Sequence, residues 1–189
     1  VKYEIFSPGL LEHPFFKRLN EFYPEIFLSV CHRAVSRFTV PAQENVFEEN
    51  DVPENPGMLF VLSGRLTYKS ESQPAPTRVY SGSWLCEACL WTDWFYRGDC
   101  TAVVDSVVVV VDAKGFQEAL LTGGLKRREA QRYAERFVLM LNEAGFDDVY
   151  DVLNMEYDAQ VRQMALEVFP KIIRNGKLPS RLPSSINMS

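Results

Sequence analysis

The sequence predicts an α+β fold: a compact unit of short strands, typical of a β-sandwich or a barrel-like roll, with helices before and after it. Apolar residues recur at helical spacing over residues 10–35. Short apolar or alternating runs, separated by glycine, proline and polar clusters, then occupy residues 37–112. Helical spacing returns over residues 113–145. Strands grouped between helices, rather than alternating with them, are typical of an α+β domain and not of a parallel α/β sheet.

Length and composition limit the class of protein. With 189 residues, 47% hydrophobic and 24% charged, the chain is long enough for one domain with its own core. Its 20 basic and 25 acidic residues leave a net charge of −5, which disfavours nucleic-acid binding. The longest apolar run, Val107–Val111, is too short to span a bilayer, so we expect no membrane contact from this stretch of chain. Four cysteines are too few for a disulfide framework. Reduced thiols and a cytoplasmic location are therefore expected, either for a cytoplasmic protein or for the cytoplasmic part of a membrane protein.

Two helices are predicted before the strands. Pro14 and Pro24 each suit the first turn of a helix, where a backbone N–H is not needed. The apolar residues that share one face of the second helix are Ile26, Phe27, Val30, Cys31 and Ala34.

The strand region is expected to contain two hairpins. The first lies within Met58–Lys69, with its turn at Ser63-Gly64. The second lies within Thr101–Val111, with its turn at Asp105-Ser106. Between them, Thr77–Tyr80 forms a short strand.

Three helices are predicted after the strands. The first contains Phe116 and stops at Gly123-Gly124. The second has the clearest amphipathic spacing of the chain, runs from Lys126 to Asn142 and is followed by Gly145 as a C-cap. The third runs from Asp158 to Phe169.

We expect three parts along the chain. Residues 1–145 form the domain, residues 146–175 a C-terminal helical extension, and residues 176–189 a mobile tail rich in serine and proline.

The segment with the most chemical information is Ser81–Trp91. It follows a strand, begins near Gly82 and carries one carboxylate, Glu87, in a short helix-like cluster. A carboxylate accepts hydrogen bonds from ribose hydroxyls, amides at a helix start attract phosphate, and Arg97 downstream supplies a charge-assisted bond. The combination suits a small sugar-phosphate ligand. Alternatively, Glu87 is an ordinary carboxylate that complements a helix dipole.

These residues resemble the cyclic-nucleotide-binding domain, the β-roll module of kinase regulatory subunits, bacterial transcription regulators and gated cation channels. The resemblance extends over Leu10–Leu141. Met58–Leu66 is similar to the family's strand–glycine–strand unit, and Gly82–Leu90 to its phosphate-binding cassette. The segment around Trp91 also resembles the cassette of channel-associated modules in protists. The cassette positions that match the family pattern are Gly82, Glu87, Cys89 and Leu90.

The resemblance implies that the strands form an antiparallel, eight-strand-like β-roll of the double-stranded jelly-roll type. It also implies a non-enzymatic regulatory module that needs no cofactor and binds cAMP or cGMP inside the β-roll. Glu87 would hold the ribose and the cassette amides the phosphate, with Arg97 as the counter-charge. The helix at 126–142 would close over the ligand as a lid. It would signal to other domains or subunits of a larger signalling or channel protein. The residues expected to contact the ligand are Gly82, Cys86, Glu87, Ala88, Cys89, Arg97 and Thr101, and those expected on the lid are Tyr133, Phe137 and Leu141.

The sequence also departs from the family pattern. Ser83, Leu85 and Cys86 stand where the family has an acid, an aromatic residue and a glycine. Gly98 and Asp99 separate Arg97 from the small residues that the family's arginine directly precedes. A second interpretation is therefore a ligand-free homologue used for protein interaction or channel gating. Its roll would be filled by its own side chains, such as Trp84, Trp91 or a residue of the C-terminal helices.

Other chemistry has little support in the sequence. Cys86 and Cys89 have the spacing of a metal or redox pair, but two thiols do not complete a tetrahedral site. His13 and His32 are the only histidines, too few for a metal-dependent enzyme on a barrel of this kind. No nucleotide-binding glycine loop or nucleophile motif is present. No enzymatic activity and no metal are therefore expected.

Overall fold

The computed structural model of the protein describes residues 2–122, 127–144, 148–152 and 155–169. In this part of the chain, three helices precede a group of six strands and three helices follow it. The helices are α1 Lys2–Leu10, α2 Pro14–Phe22, α3 Pro24–Arg33, α4 Ala113–Thr122, α5 Arg127–Ala144 and α6 Met155–Val168. The strands are β1 Val35–Val40, β2 Asn45–Phe47, β3 Gly57–Lys69, β4 Thr77–Tyr80, β5 Trp84–Leu85 and β6 Asp99–Asp112, and a short 3-10 helix, Glu87–Leu90, lies between β5 and β6. The predicted α+β roll with flanking helices is confirmed.

The N-terminal helices begin as expected, at prolines. His13 caps α2, because its Nδ1 accepts a hydrogen bond from the amide of Phe15 at 3.2 Å. Phe15 and Phe16 in the first turn of α2 are fully buried. Pro24 likewise occupies the first turn of α3. Helix α1 was not predicted.

The strands pair in antiparallel fashion, with β6 at the centre. Strand β6 pairs with β1, β2 and β3, while β3 also pairs with β4 and β5. Side chains alternate between the two faces of a strand. Met58 and Phe60 of β3 accordingly pack against the helices, whereas Leu59 and Val61 belong to the roll interior. The molecule thus has one core under the helices and another inside the roll.

The two predicted hairpins are wrong. Strands β3 and β6 are each continuous, and they pair with one another along almost their whole length. The register of this pair shifts three times around Gly64, which marks a bulge and not a turn. Gly64 has a φ of 92°, and a Cβ atom there would overlap Ser106 of β6. A glycine with positive φ serves a bulge as readily as a turn. Because two hairpins become two long strands, the roll has six strands in place of eight.

The C-terminal helices complete the core under α2 and α3. The helices expected at 126–142 and 158–169 are confirmed as α5 and α6, with boundaries shifted by one to three residues. Helix α6 packs against both α2 and α5. The predicted breakers Gly123-Gly124, the C-cap Gly145 and the tail 176–189 lie outside the described residues. None of the helices described here is long and apolar enough to cross a membrane.

Candidate functional site

The cassette, Gly82–Leu90, is a tightly turned segment that contains β5 and the 3-10 helix. Gly82 has a φ of 87°, and its N–H donates to the Val61 carbonyl at 2.9 Å. Cys86 stands directly before the 3-10 helix with φ 59° and ψ 34°, in the left-handed region. A residue with a Cβ atom is strained there by about 1–2 kcal/mol. The backbone therefore keeps the conformation of a glycine position although the residue is a cysteine.

The Glu87 carboxylate is buried and fully engaged with other side chains of the protein. Its Oε2 lies 2.9 Å from His13 Nε2, and its Oε1 accepts hydrogen bonds from Tyr133 at 2.8 Å and from Trp91 Nε1 at 3.3 Å. Glu87 itself is 3% exposed. Burial, and secondarily the charge of Glu87, raises the pKa of Tyr133, so its hydroxyl remains a donor. One carboxylate thus joins the cassette to α2 and to α5.

A second buried carboxylate, Asp151, lies on the other side of the cassette, inside the roll. Its Oδ2 accepts hydrogen bonds from the Tyr68 hydroxyl at 3.0 Å and from the Arg97 backbone N–H at 2.6 Å. Its Oδ1 accepts one from Trp94 Nε1 at 2.7 Å. Burial raises the pKa of Asp151 to about 6, although these three hydrogen bonds act in the opposite direction.

The backbone around Asp151 is bound as closely as its side chain. The N–H of Cys86 donates to the Asp151 carbonyl at 2.7 Å, and the Asp151 N–H donates to the Tyr68 hydroxyl oxygen at 3.3 Å. Tyr150 and Val152 pack against the core of the roll. Residues 148–152 are here called the plug segment. This segment places Asp151 in the roll interior beside the cassette and packs Tyr150 and Val152 against the roll core, while Asp148 is exposed.

Three thiols surround the same place. Cys86, Cys89 and Cys100 are buried in the roll core. Burial raises the pKa of Cys89 to about 12 and of Cys100 to about 12, and it raises that of Cys86 as well. Such thiols stay protonated and make poor nucleophiles or metal ligands. Among the described residues, no group of three or more histidine, cysteine or acidic side chains is arranged to hold a metal ion.

Comparison with known proteins gives structural relatives only. No family profile and no curated protein sequence matches the chain. The N-terminal domain of a transcriptional regulator from Streptomyces coelicolor A3(2) superposes with a TM-score of 0.55 and 18% identity, covering 72% of this chain and 94% of that one. A cAMP-bound PfPKA-R (141-441) superposes with a TM-score of 0.52 and 17% identity, covering 77% of this chain and 48% of that one. A cyclic nucleotide-binding-like protein from Brucella abortus matches at 19% identity with a TM-score of 0.47, over 56% of this chain and 97% of that one.

The chain has the fold of a cyclic-nucleotide-binding domain.

Within this fold, the predicted site residues fall into two groups. Gly82, Cys86, Glu87, Ala88 and Cys89 lie together in the cassette, and the last four are buried. Thr101 lies apart from them on β6, where its Oγ1 donates to Asn45 Oδ1 of β2 at 2.9 Å. The structure therefore does not bring Thr101 together with the cassette residues, and its contact with a ligand stays a prediction.

Arg97 reaches the site through its main chain. Its backbone N–H binds Asp151, while its guanidinium lies 5.1 Å from the centre of the Phe95 ring and its Nε is 3.5 Å from the Val149 carbonyl oxygen. The anion beside Arg97 in this structure is thus the plug carboxylate.

The residues predicted for the lid lie on α5 and pack into the protein. Tyr133 and Phe137 are buried in the core under the helices, and Leu141 is half-buried. Trp84 and Trp91, the suggested fillers of the roll, belong to the same core: Trp84 packs edge-on against His13, and Trp91 against Phe15. Neither tryptophan fills the roll interior.

Sequence reasoning missed the residues that do fill it. Asp151 follows α5 in a short acidic and apolar run, Asp-Val-Tyr-Asp-Val, which has no helical or strand period and carries no motif. His13, the buried partner of Glu87, was considered only as one of two histidines, too few for a metal-dependent enzyme. The run nevertheless contains a signal, namely a single acidic residue between apolar neighbours. If the neighbours are buried, the acid is buried with them, and it then needs hydrogen-bond donors.

Proposed function

We propose that this chain is a non-catalytic regulatory module with the cyclic-nucleotide-binding fold, in which the plug segment takes the place of a nucleotide. The observation that carries the proposal is the position of Asp151. Its carboxylate accepts three hydrogen bonds inside the roll, and its carbonyl accepts a fourth from the cassette N–H of Cys86. A carboxylate held beside the cassette by a backbone amide, a tyrosine hydroxyl and an indole N–H resembles a bound anionic ligand in its chemistry.

The state of Glu87 supports the same proposal. The resemblance assigns this residue to the ribose, yet its two oxygens are engaged with His13, Tyr133 and Trp91. A nucleotide would have to break these buried contacts and displace the plug segment. Since buried donors left without partners cost roughly 1–3 kcal/mol each, cyclic nucleotides are at a disadvantage in this site.

The module would act on other domains or subunits of a larger signalling or channel protein. The closed position of α5 over the cassette corresponds to one state of a two-state switch, and a partner that binds the two states unequally would shift the equilibrium. This proposal corresponds to the second interpretation of the sequence, the ligand-free homologue. The side chain that fills the roll is Asp151, in place of the tryptophans suggested from the sequence.

Calorimetric titration with cAMP and with cGMP, together with thermal unfolding, tests the proposal. The wild-type chain is expected to give neither heat of binding nor a shift of melting temperature at millimolar nucleotide. Asp151→Ala should lower the melting temperature, whereas Asp158→Ala, which removes only an exposed ion pair with Arg162, should change it little. Micromolar binding of either nucleotide to the wild-type chain, lost in Glu87→Ala, would establish the first interpretation and overturn this one.

A further inference from the structure

The roll interior has the features of a peptide-binding site. Its contacts with the plug segment involve the Asp151 N–H, the Asp151 carbonyl and the Asp151 carboxylate, and Arg97 Nε lies near the Val149 carbonyl. A site that holds backbone groups on both sides of a side chain recognises a peptide. A small anion offers no backbone N–H and C=O to satisfy the same partners.

The side chains of the plug segment add a sequence preference. Tyr150 and Val152 pack against the roll core on either side of the buried Asp151. The donors Tyr68 and Trp94, which meet the carboxylate, come from the roll and not from the helices. The residues that bind the plug carboxylate therefore do not belong to the segments that connect the plug segment to α5 and α6.

We propose that the roll binds a short extended acidic peptide of a partner protein, with the pattern aliphatic–Tyr–Asp–aliphatic, and that the plug segment is its internal competitor. This inference rests on the proposed function, because it requires the plug segment to be the ligand of the roll. Burial raises the pKa of Asp151 to about 6, so this carboxylate is ionised near neutral pH although burial disfavours the ionised form. This cost weakens the binding of the plug segment, and a partner peptide can displace it.

The test is fluorescence anisotropy with a labelled synthetic peptide that has the sequence of residues 147–153, Asp-Asp-Val-Tyr-Asp-Val-Leu. The full chain with Asp151→Ala should bind it about tenfold or more tightly than wild type, because a competitor that occupies the site lowers apparent affinity by the fraction occupied. A peptide with asparagine in place of its third aspartate, the equivalent of Asp151, should bind about tenfold more weakly. Equal binding of the two peptides, or no binding to a folded Asp151→Ala chain, would overturn the inference.

A receptor-side control separates recognition from general stickiness. Tyr68→Phe, made in the Asp151→Ala chain, removes the hydroxyl that meets both the carboxylate and the backbone N–H, and it should weaken peptide binding. Tyr80→Phe on β4 alters an exposed tyrosine and should leave binding unchanged. Equal effects of the two changes would count against the site.

Hydrogen exchange on the wild-type chain gives a second measurement, valid even if Asp151→Ala does not fold. Excess peptide should accelerate exchange of the amides at 148–152 and leave those of β6 unchanged; no acceleration there overturns the inference. Failure of the proposed function has a different signature, namely nucleotide binding through Glu87. Nucleotide binding through Glu87 would refute the proposed function and the peptide inference with it, whereas neither kind of binding would refute the peptide inference alone.

Discussion

Two buried carboxylates, Glu87 within the cassette and Asp151 beside it, have different surroundings. Glu87 faces the core under the helices and meets three donors from α2, α5 and the residue after the 3-10 helix. Asp151 faces the roll interior and meets donors from β3 and from the loop before β6. A buried carboxylate is tolerated only when its oxygens are hydrogen-bonded, and both residues satisfy this condition.

Glu87 should be essential to stability whether or not a ligand binds. Glu87→Ala leaves His13, Trp91 and Tyr133 without their buried partner, and we expect it to lower the free energy of unfolding by about 3–5 kcal/mol. Urea unfolding followed by tryptophan fluorescence measures the change. Glu135→Ala, on the exposed face of α5, should cost less than about 0.5 kcal/mol. Equal effects of both variants would show that the Glu87 contacts are not formed.

Asp151 should make stability depend on pH. Its pKa is raised from 3.8 to about 6 in the folded protein, so the folded state holds this proton more tightly than the unfolded chain does. The contribution of Asp151 to the free energy of unfolding is therefore largest below about pH 4. It decreases by about 3 kcal/mol in total as the pH rises through about 6, and it is constant above about pH 7. Tyr68, Trp94, Arg97 and Cys86 are the groups that face it.

The measurement is the difference in unfolding free energy between wild type and Asp151→Asn from pH 4 to 7.5. Contributions of the other titrating groups cancel in this difference. If wild type loses stability relative to Asp151→Asn as the pH rises, the assignment is supported. If the difference in unfolding free energy stays constant, or if wild type gains stability, the assignment is contradicted.

At the scale of elements, the long antiparallel pair of β3 and β6 determines the shape of the roll. The bulge at Gly64 lets both strands bend and pass from the sheet under the helices to the roll interior. The sequence shows the glycine but not its use, because turns and bulges draw on the same positive φ.

A pair of glycine substitutions tests this use. Gly64→Ala combines a strained φ with overlap against Ser106 and should lower the free energy of unfolding by about 2–4 kcal/mol. Gly82→Ala has the same strain, with a φ of 87°, but nothing lies within 4 Å of the added methyl group. It should cost only about 1–2 kcal/mol. Urea unfolding of both variants gives the comparison, and a Gly82 variant as unstable as the Gly64 variant would contradict the bulge packing.

For the whole molecule, the two cores are joined by the cassette. The cassette contributes Ala88 and Leu90 to the core under the helices, and Cys86 and Cys89 to the roll core. We therefore expect a change in one core to affect the other through the 3-10 helix Glu87–Leu90 and the residue before it.

The rate of cysteine modification measures how accessible the roll interior is, and the experiment needs no ligand. Cys31, Cys86, Cys89 and Cys100 are all free and buried, so the native chain should react slowly with a thiol reagent and the unfolded chain should release four groups. Asp151→Ala should accelerate modification of the three roll cysteines and leave Cys31, in the core under the helices, slow. Mass mapping of the labelled peptides distinguishes them. Acceleration of Cys31 as well would indicate general destabilisation instead of an opened plug.

The sequence by itself determined the order of the elements and the place of the cassette. Helix starts at Pro14 and Pro24, the amphipathic period of α5 and the Gly82–Leu90 pattern are local signals, because each depends on residues within one or two turns of chain. The continuity of β3 and β6 could not be predicted in this way, since it depends on how two distant strands pair.

Only the tertiary structure decided what the site holds. Glu87 is joined to residues 74 positions before it and 46 after it, and Asp151 to Tyr68 across 83 positions. No local period encodes such pairs. They form because a buried carboxylate must find donors wherever the fold brings them. The same requirement that places Glu87 among the helices places Asp151 in the roll, where the resemblance alone would put a nucleotide.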